Sequence, residues 1–135
     1  MPNGTDPAVQ SVTVTFNYNA GTPIWTVPSP IVVNHGDIDV IQWNLSCLNL
    51  PANTTGRFAS TNGVNFVTRK AGANGDTWTG PGPQRVNDTQ VEVTDDNRGP
   101  STTKAYFYSI NIETVNGTNV TPWTDDPQVE NPGGN

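Results

Sequence analysis

The sequence predicts an all-β chain, a single antiparallel β-sandwich over residues 1–135 built from seven to nine short strands. Three observations carry this expectation. With 13 glycines and 12 prolines among 135 residues, long helices are nearly excluded. Two stretches, Ser11 to Tyr18 and Thr103 to Thr114, alternate apolar and polar side chains with the period of a half-buried strand. Clusters of Asn, Asp, Gly and Pro separate these from several weaker apolar runs.

In chain order, Val12, Val14, Phe16 and Tyr18 share one face of the first strand, and Asn19 to Pro23 is a turn. Ile24 to Val27 follows, ending where Pro28 and Pro30 remove ladder donors, which fits an edge or a crossover. Ile31 to Val33 is a short apolar strand, and Asn34 to Asp37 a tight turn. Ile38 to Leu45 is a strand apolar on both faces, and therefore central. Gly56 to Ala59 and Val64 to Thr68 are short strands, with Asn62-Gly63 as a hairpin turn between them. Lys70 to Pro83 is a long Gly-rich loop carrying Trp78. Gln90 to Thr94 is a strand and Asp95 to Pro100 a polar turn. In Thr103 to Thr114, Tyr106, Tyr108, Ile110 and Ile112 share a face. After the Asn116-Gly117 turn, Asn119 to Trp123 pairs again, and Gln128 to Glu130 closes the sheet as an edge strand.

The six basic and twelve acidic residues leave a net charge of −6, which repels phosphate, so neither nucleic acid nor an anionic membrane surface is expected as a partner. No apolar stretch has the length of a membrane span, so no membrane insertion is expected. The opening MPNGTDPAVQ lacks the basic start and apolar run of a secretory leader. The expected location is cytoplasmic if Met1 is native and extracellular if a leader has been removed. Six Asn-x-Ser/Thr triplets, at Asn3, Asn44, Asn53, Asn87, Asn116 and Asn119, follow from the abundance of Asn and Thr.

Catalytic chemistry finds few materials. A blue-copper or zinc site needs three or four soft or imidazole ligands, and His35 and Cys47 fall short, so no metal and no cofactor are expected. Cys47 has no disulfide partner. His35 is also the one available imidazole base, and no G-x-S-x-G elbow is present. The carboxylate pairs Asp95/Asp96 and Asp125/Asp126 read as turn residues capping backbone donors. No catalytic residue is assigned, and an enzyme is not expected.

Tryptophans offer more. Trp43 belongs to the core, whereas Trp25, Trp78 and Trp123 lie near turns among Thr, Asn, Gly and Pro. Flat sugar faces stack on indoles while amides and hydroxyls bond their hydroxyl groups, so these three are candidate ligand-binding residues. Plugging the ends of the core is the competing role for the same rings. Gln128, Val129 and Glu130, with the prolines near residue 30, are candidates for assembly, because edge strands carry unpaired backbone groups.

Ile31-Val32-Val33-Asn34-His35-Gly36-Asp37-Ile38-Asp39-Val40-Ile41-Gln42-Trp43 resembles the apolar strand, Gly-Asp turn and Trp-bearing strand of cupredoxin-like domains. The Cys, His and Met copper loop of that family is missing, so the resemblance implies its topology and not its metal. A second resemblance covers roughly the last hundred residues. Gly36-Asp37 with Trp43, then Tyr106-Phe107-Tyr108-Ser109-Ile110-Asn111-Ile112, then Asp126-Pro127-Gln128-Val129-Glu130-Asn131-Pro132 are similar to small bacterial proteins of the DP-EP family. The closing Glu-Asn-Pro departs from that family's Glu-Pro. This resemblance implies a cupredoxin-like or immunoglobulin-like Greek-key sandwich and carries no activity or functional residue.

The expected function is therefore a non-catalytic structural or protein-interaction module that binds a protein partner or assembles with itself through sheet edges or termini. With charged residues at 13%, few charges need be desolvated on packing. The alternative is a carbohydrate-binding module using Trp25, Trp78 or Trp123.

Overall fold

A computed structural model describes residues 8–28, 31–32, 38–67, 69–70, 73–74, 78, 80–96, 104–125 and 128–131. One sheet contains β1 (Ala8–Asn17), β2 (Ile24–Thr26), β4 (Ile38–Leu48), β9 (Gln84–Asn87) and β10 (Gln90–Asp96) in the order β2-β1-β4-β10-β9. The second contains β3 (Ile31–Val32), β5 (Thr55–Phe58), β6 (Val64–Val67), β11 (Lys104–Asn116), β12 (Asn119–Asp125) and β13 (Gln128–Asn131). Two short strands, β7 (Arg69–Lys70) and β8 (Ala73–Asn74), form a separate ribbon. The chain is an all-β sandwich, and nine of these strands have four residues or more.

The alternation read in the sequence decides which side chains enter the core. On β1, Val12, Val14 and Phe16 are buried; on β4, Ile41 and Trp43; on β10, Val91 and Val93. These face Tyr108, Ile110 and Ile112 of β11, with Phe58 and Val64 from β5 and β6, in one hydrophobic cluster. Each large apolar side chain withdrawn from water contributes about 1.5–3 kcal/mol. At the centre the Trp43 and Tyr108 rings lie 5.3 Å apart, and the indole N–H donates to the phenolic oxygen at 3.3 Å.

Ile38–Leu48 is central, as its two apolar faces require, and β2 is an edge. Eight pairings are antiparallel, while β1 with β4 and β13 with β3 run parallel. The β1–β4 pairing extends from Ala8↔Asp39 to Asn17↔Leu48. It requires a long crossover, which the chain provides by passing through β2 and β3 before returning beside β1.

Three expectations are corrected. β5 and β6 are not a hairpin around Asn62-Gly63: both pair with β11, Phe58 opposite Ile112 and Val64 opposite Ile110. Residues 59–63 bulge out opposite Asn111, whose backbone bonds Ala59 and Gly63. Gln128, Val129 and Glu130 do not form an edge, because β13 lies between β11 and β3, with Val129 opposite Ile31 and Glu130 opposite Val32. Asp95 and Asp96 end β10 instead of starting a turn, so they point to opposite faces, Asp95 buried and Asp96 exposed. The strand Gln84–Asn87 was not foreseen. The expected Asn34–Asp37 turn, with His35 in it, and residues 97–100, 126–127 and 132–135 lie outside the described residues, as does much of the 70–83 loop. No helix among the described residues is long and apolar enough to cross a membrane.

Candidate functional site

The inner-face stripe of β11 reads Tyr106, Tyr108, Ile110, Ile112, Thr114, Asn116 along the strand. Its apolar part covers the core, and its polar part marks where the core ends. There β12 continues the same face, with Trp123 opposite Ile112, Thr121 opposite Thr114 and Asn119 opposite Asn116. Asn119 and Thr121 are exposed although they lie on the face turned toward the other sheet. The sandwich is therefore open at this pole. The opening is a cleft of about 380 Å³, bounded by Tyr18 and Gly21 after β1, Pro51 and Thr54 before β5, and the start of β12.

Trp123 is half-buried and held on three sides. Its ring lies 5.5 Å from Phe16 and 5.9 Å from Tyr18, nearly perpendicular to the latter, and its N–H donates to the buried Thr114 hydroxyl at 2.9 Å. A ring fixed in this way offers apolar surface at little conformational cost, with its one donor already committed. The remaining polar side chains lining the cleft are the uncharged amides and hydroxyls of Asn116, Asn119, Thr121, Thr54 and Tyr18.

The loops around the cleft are held in unusual backbone conformations. Among the described non-glycine residues with positive φ, Asn19 (45°), Ala20 (54°), Asn49 (56°) and Asn53 (60°) all sit in the two segments bordering it, while Asn62 (57°) is elsewhere. Asparagine tolerates this region because its amide bonds locally. The Asn17 Oδ1 accepts from the Asn19 backbone N–H and from Asn49 Nδ2, and Asn19 Nδ2 donates to the Thr22 carbonyl. Ala20 has no such side chain, so its left-handed geometry costs about 1 kcal/mol. Gly21, at φ 91°, completes the turn where a side chain would be strained. Asn116 Nδ2 donates to Thr54 Oγ1 at 3.2 Å, joining neighbours one step beyond the Val115–Thr55 pair that ends the β11–β5 ladder. Strain gathered at one pole of a fold is a pointer to function.

Cys47 lies beneath this pole, where a Cβ on Gly56 would collide with its thiol sulfur. Glycine thus allows β5 to cross close over the end of β4. Burial pushes the Cys47 thiol pKa upward, favouring the neutral form.

The three tryptophans read from the sequence do not converge. Trp123 lines the cleft. Trp25 stands on the β2 edge, opposite Phe16, its ring 4.9 Å away and edge-on. Trp78 is at the opposite pole, stacked on Phe66 at 4.1 Å, edge-on to Tyr106 at 5.0 Å, and donating its N–H to the Pro81 carbonyl at 2.8 Å. It closes its end of the core. Tyr18, Thr114, Asn119 and Thr121 were not singled out as site residues. The signal that marks them is the change from Ile to Thr to Asn along one strand face, followed by a return strand in matching register.

The sequence matches no known protein-family model and no curated protein.

Proposed function

We propose that the chain is a non-catalytic β-sandwich binding module whose ligand is a carbohydrate, received in the cleft at Trp123. One observation carries this reading: an immobilised indole bordered by uncharged hydroxyl and amide groups in a cleft of small-molecule size. Apolar sugar faces pack on such rings, and sugar hydroxyls exchange water for Asn and Thr without burying charge. The test is titration of the ¹⁵N-labelled protein with soluble oligosaccharides, following the Trp123 indole and the Asn119 and Thr121 amides. Shifts confined to this pole, and lost in Trp123→Ala, support the reading. Shifts around Trp78 or Trp25 instead, or none with any sugar, overturn it.

A second reading, a structural or protein-interaction module that assembles with a partner or itself, draws support from the sheet edges. β9 is exposed along its whole length and displays Val86, and β2 displays Ile24. Unpaired edge backbone accepts another strand. Light scattering across a hundredfold concentration range tests the self-assembling form of this reading: a particle that grows with concentration favours it, and a constant monomer removes it. The kinship with cupredoxin-like domains and the DP-EP family belongs to the same set of proposals, resting on the Gly36-Asp37, Trp43 and Tyr106–Ile112 pattern.

A further inference from the structure

We infer that the cleft takes the uncharged end of an oligosaccharide, one or two sugar rings deep, and neither an anionic glycan nor the middle of a long chain. This deepens the carbohydrate reading and rests on it. Three observations converge. None of the nine described residues lining the cleft is charged. The nearest ion pair along β11, Arg57 with Glu113 at 2.9 Å, belongs to a residue that alternates away from Ile112 and Thr114 and so stands on the outer face. Among the described lining residues a carboxylate or sulfate would find no cationic partner for the water it loses, in a chain of net charge −6, and a cationic amino sugar would find no carboxylate.

Size and position set the second half of the inference. A volume of about 380 Å³ is near the lower end for small-molecule sites. The cleft lies at a pole of the sandwich: Thr114 and Asn116 of β11 and Asn119, Thr121 and Trp123 of β12 form its floor, and Tyr18, Gly21, Pro51 and Thr54 bound it. That strip of sheet is short, ending where β11 turns into β12, so it offers room for a chain tip and not a long track for successive sugars. The bond from Asn116 to Thr54 holds the end of β11 and the segment before β5 together along one wall.

The experiment measures affinity by calorimetry for two neutral series, gluco- and xylo-oligosaccharides from the disaccharide to the hexasaccharide, with trigalacturonate as the anionic probe. End-on binding predicts that affinity per molecule levels off by the trisaccharide, and that trigalacturonate binds at least tenfold more weakly than its neutral counterparts. Affinity that keeps rising to the hexasaccharide, or stronger binding of trigalacturonate, overturns the inference while leaving a carbohydrate module intact, provided Trp123→Ala still weakens it. Absence of binding by every probe overturns both. Because Trp123 also packs on Phe16, Thr121→Val serves as a second variant. Thr121 is exposed, so a severalfold loss of affinity with unchanged thermal unfolding supports the site, and unchanged affinity counts against it.

Discussion

The two poles of the sandwich close in different ways. At one, Trp78 stacks flat on Phe66, lies edge-on to Tyr106 and bonds Pro81, with Gly80 so near that a Cβ would reach its ring to 3.0 Å. The ring ladder continues inward through Tyr108 to Trp43. Beside it the carboxylates Asp39 and Asp95 are buried on neighbouring strands, and Gln10 bonds the former. At the other pole, Trp123 leans on Phe16 and Tyr18 and stops short of sealing the gap. The same residue type thus serves as a plug at one end and a wall at the other. The difference lies in its neighbours: aromatic rings fill the first pole, whereas Thr and Asn line the second and leave room for a ligand's hydroxyl groups.

The strongest way to break this contrast is Trp78→Ala. Removing a half-buried stacked indole is expected to lower unfolding free energy by about 2–3 kcal/mol in urea denaturation while leaving sugar binding at the other pole unchanged. Equal losses of binding in Trp78→Ala and Trp123→Ala would erase the distinction. Next comes Tyr108→Phe, which deprives the buried Trp43 N–H of its acceptor and is expected to cost about 1–2 kcal/mol. That variant also has a pH signature. Burial, the dominant cause, raises the Tyr108 pKa well above the ordinary tyrosine range. The folded protein therefore keeps a proton that the unfolded chain releases, and stability falls as pH rises above about 10. Denaturation midpoints between pH 8 and 11 should decline less steeply in Tyr108→Phe.

At the open pole, Gly56→Ala is expected to cost about 1 kcal/mol, because its new methyl meets the Cys47 sulfur. A double-mutant cycle with Cys47→Ala should recover most of that loss, and strict additivity would place the strain elsewhere. The smallest expected effect is a gain. Ala20→Gly relieves a left-handed alanine and should raise stability by at most about 1 kcal/mol, read as a small upward shift in the thermal midpoint.

The core was legible in the sequence because it is written in local alternation. Val12, Val14 and Phe16 on one strand and Tyr108, Ile110 and Ile112 on another share a face by spacing alone, Trp43 reads as core, and all of them are buried. The partners of each strand were not legible. β5 and β6 carry a plausible hairpin signal at Asn62-Gly63, yet the long β11 offers both a backbone to pair with, and pairing to it buries Phe58 and Val64. β13 looked like an edge because β3, its neighbour, lies about a hundred residues earlier. For the same reason only Trp123 of the cleft was foreseen. Tyr18, Thr54 and Thr114 reach it from distant segments, through pairings that no local pattern encodes.

The central place of β11 also imposes an order in time. β12, β13, β5 and β6 all pair with this one strand, so the second sheet has no backbone to assemble on until residues 104–116 have left the ribosome. The first sheet is complete in sequence by Asp96. During synthesis it must therefore wait with Phe16, Ile41, Trp43 and Val91 uncovered. A nascent chain that ends before residue 104 lacks the strand that lays Tyr108, Ile110 and Ile112 over that face, and the cover is complete only when β12 brings Trp123 against Phe16.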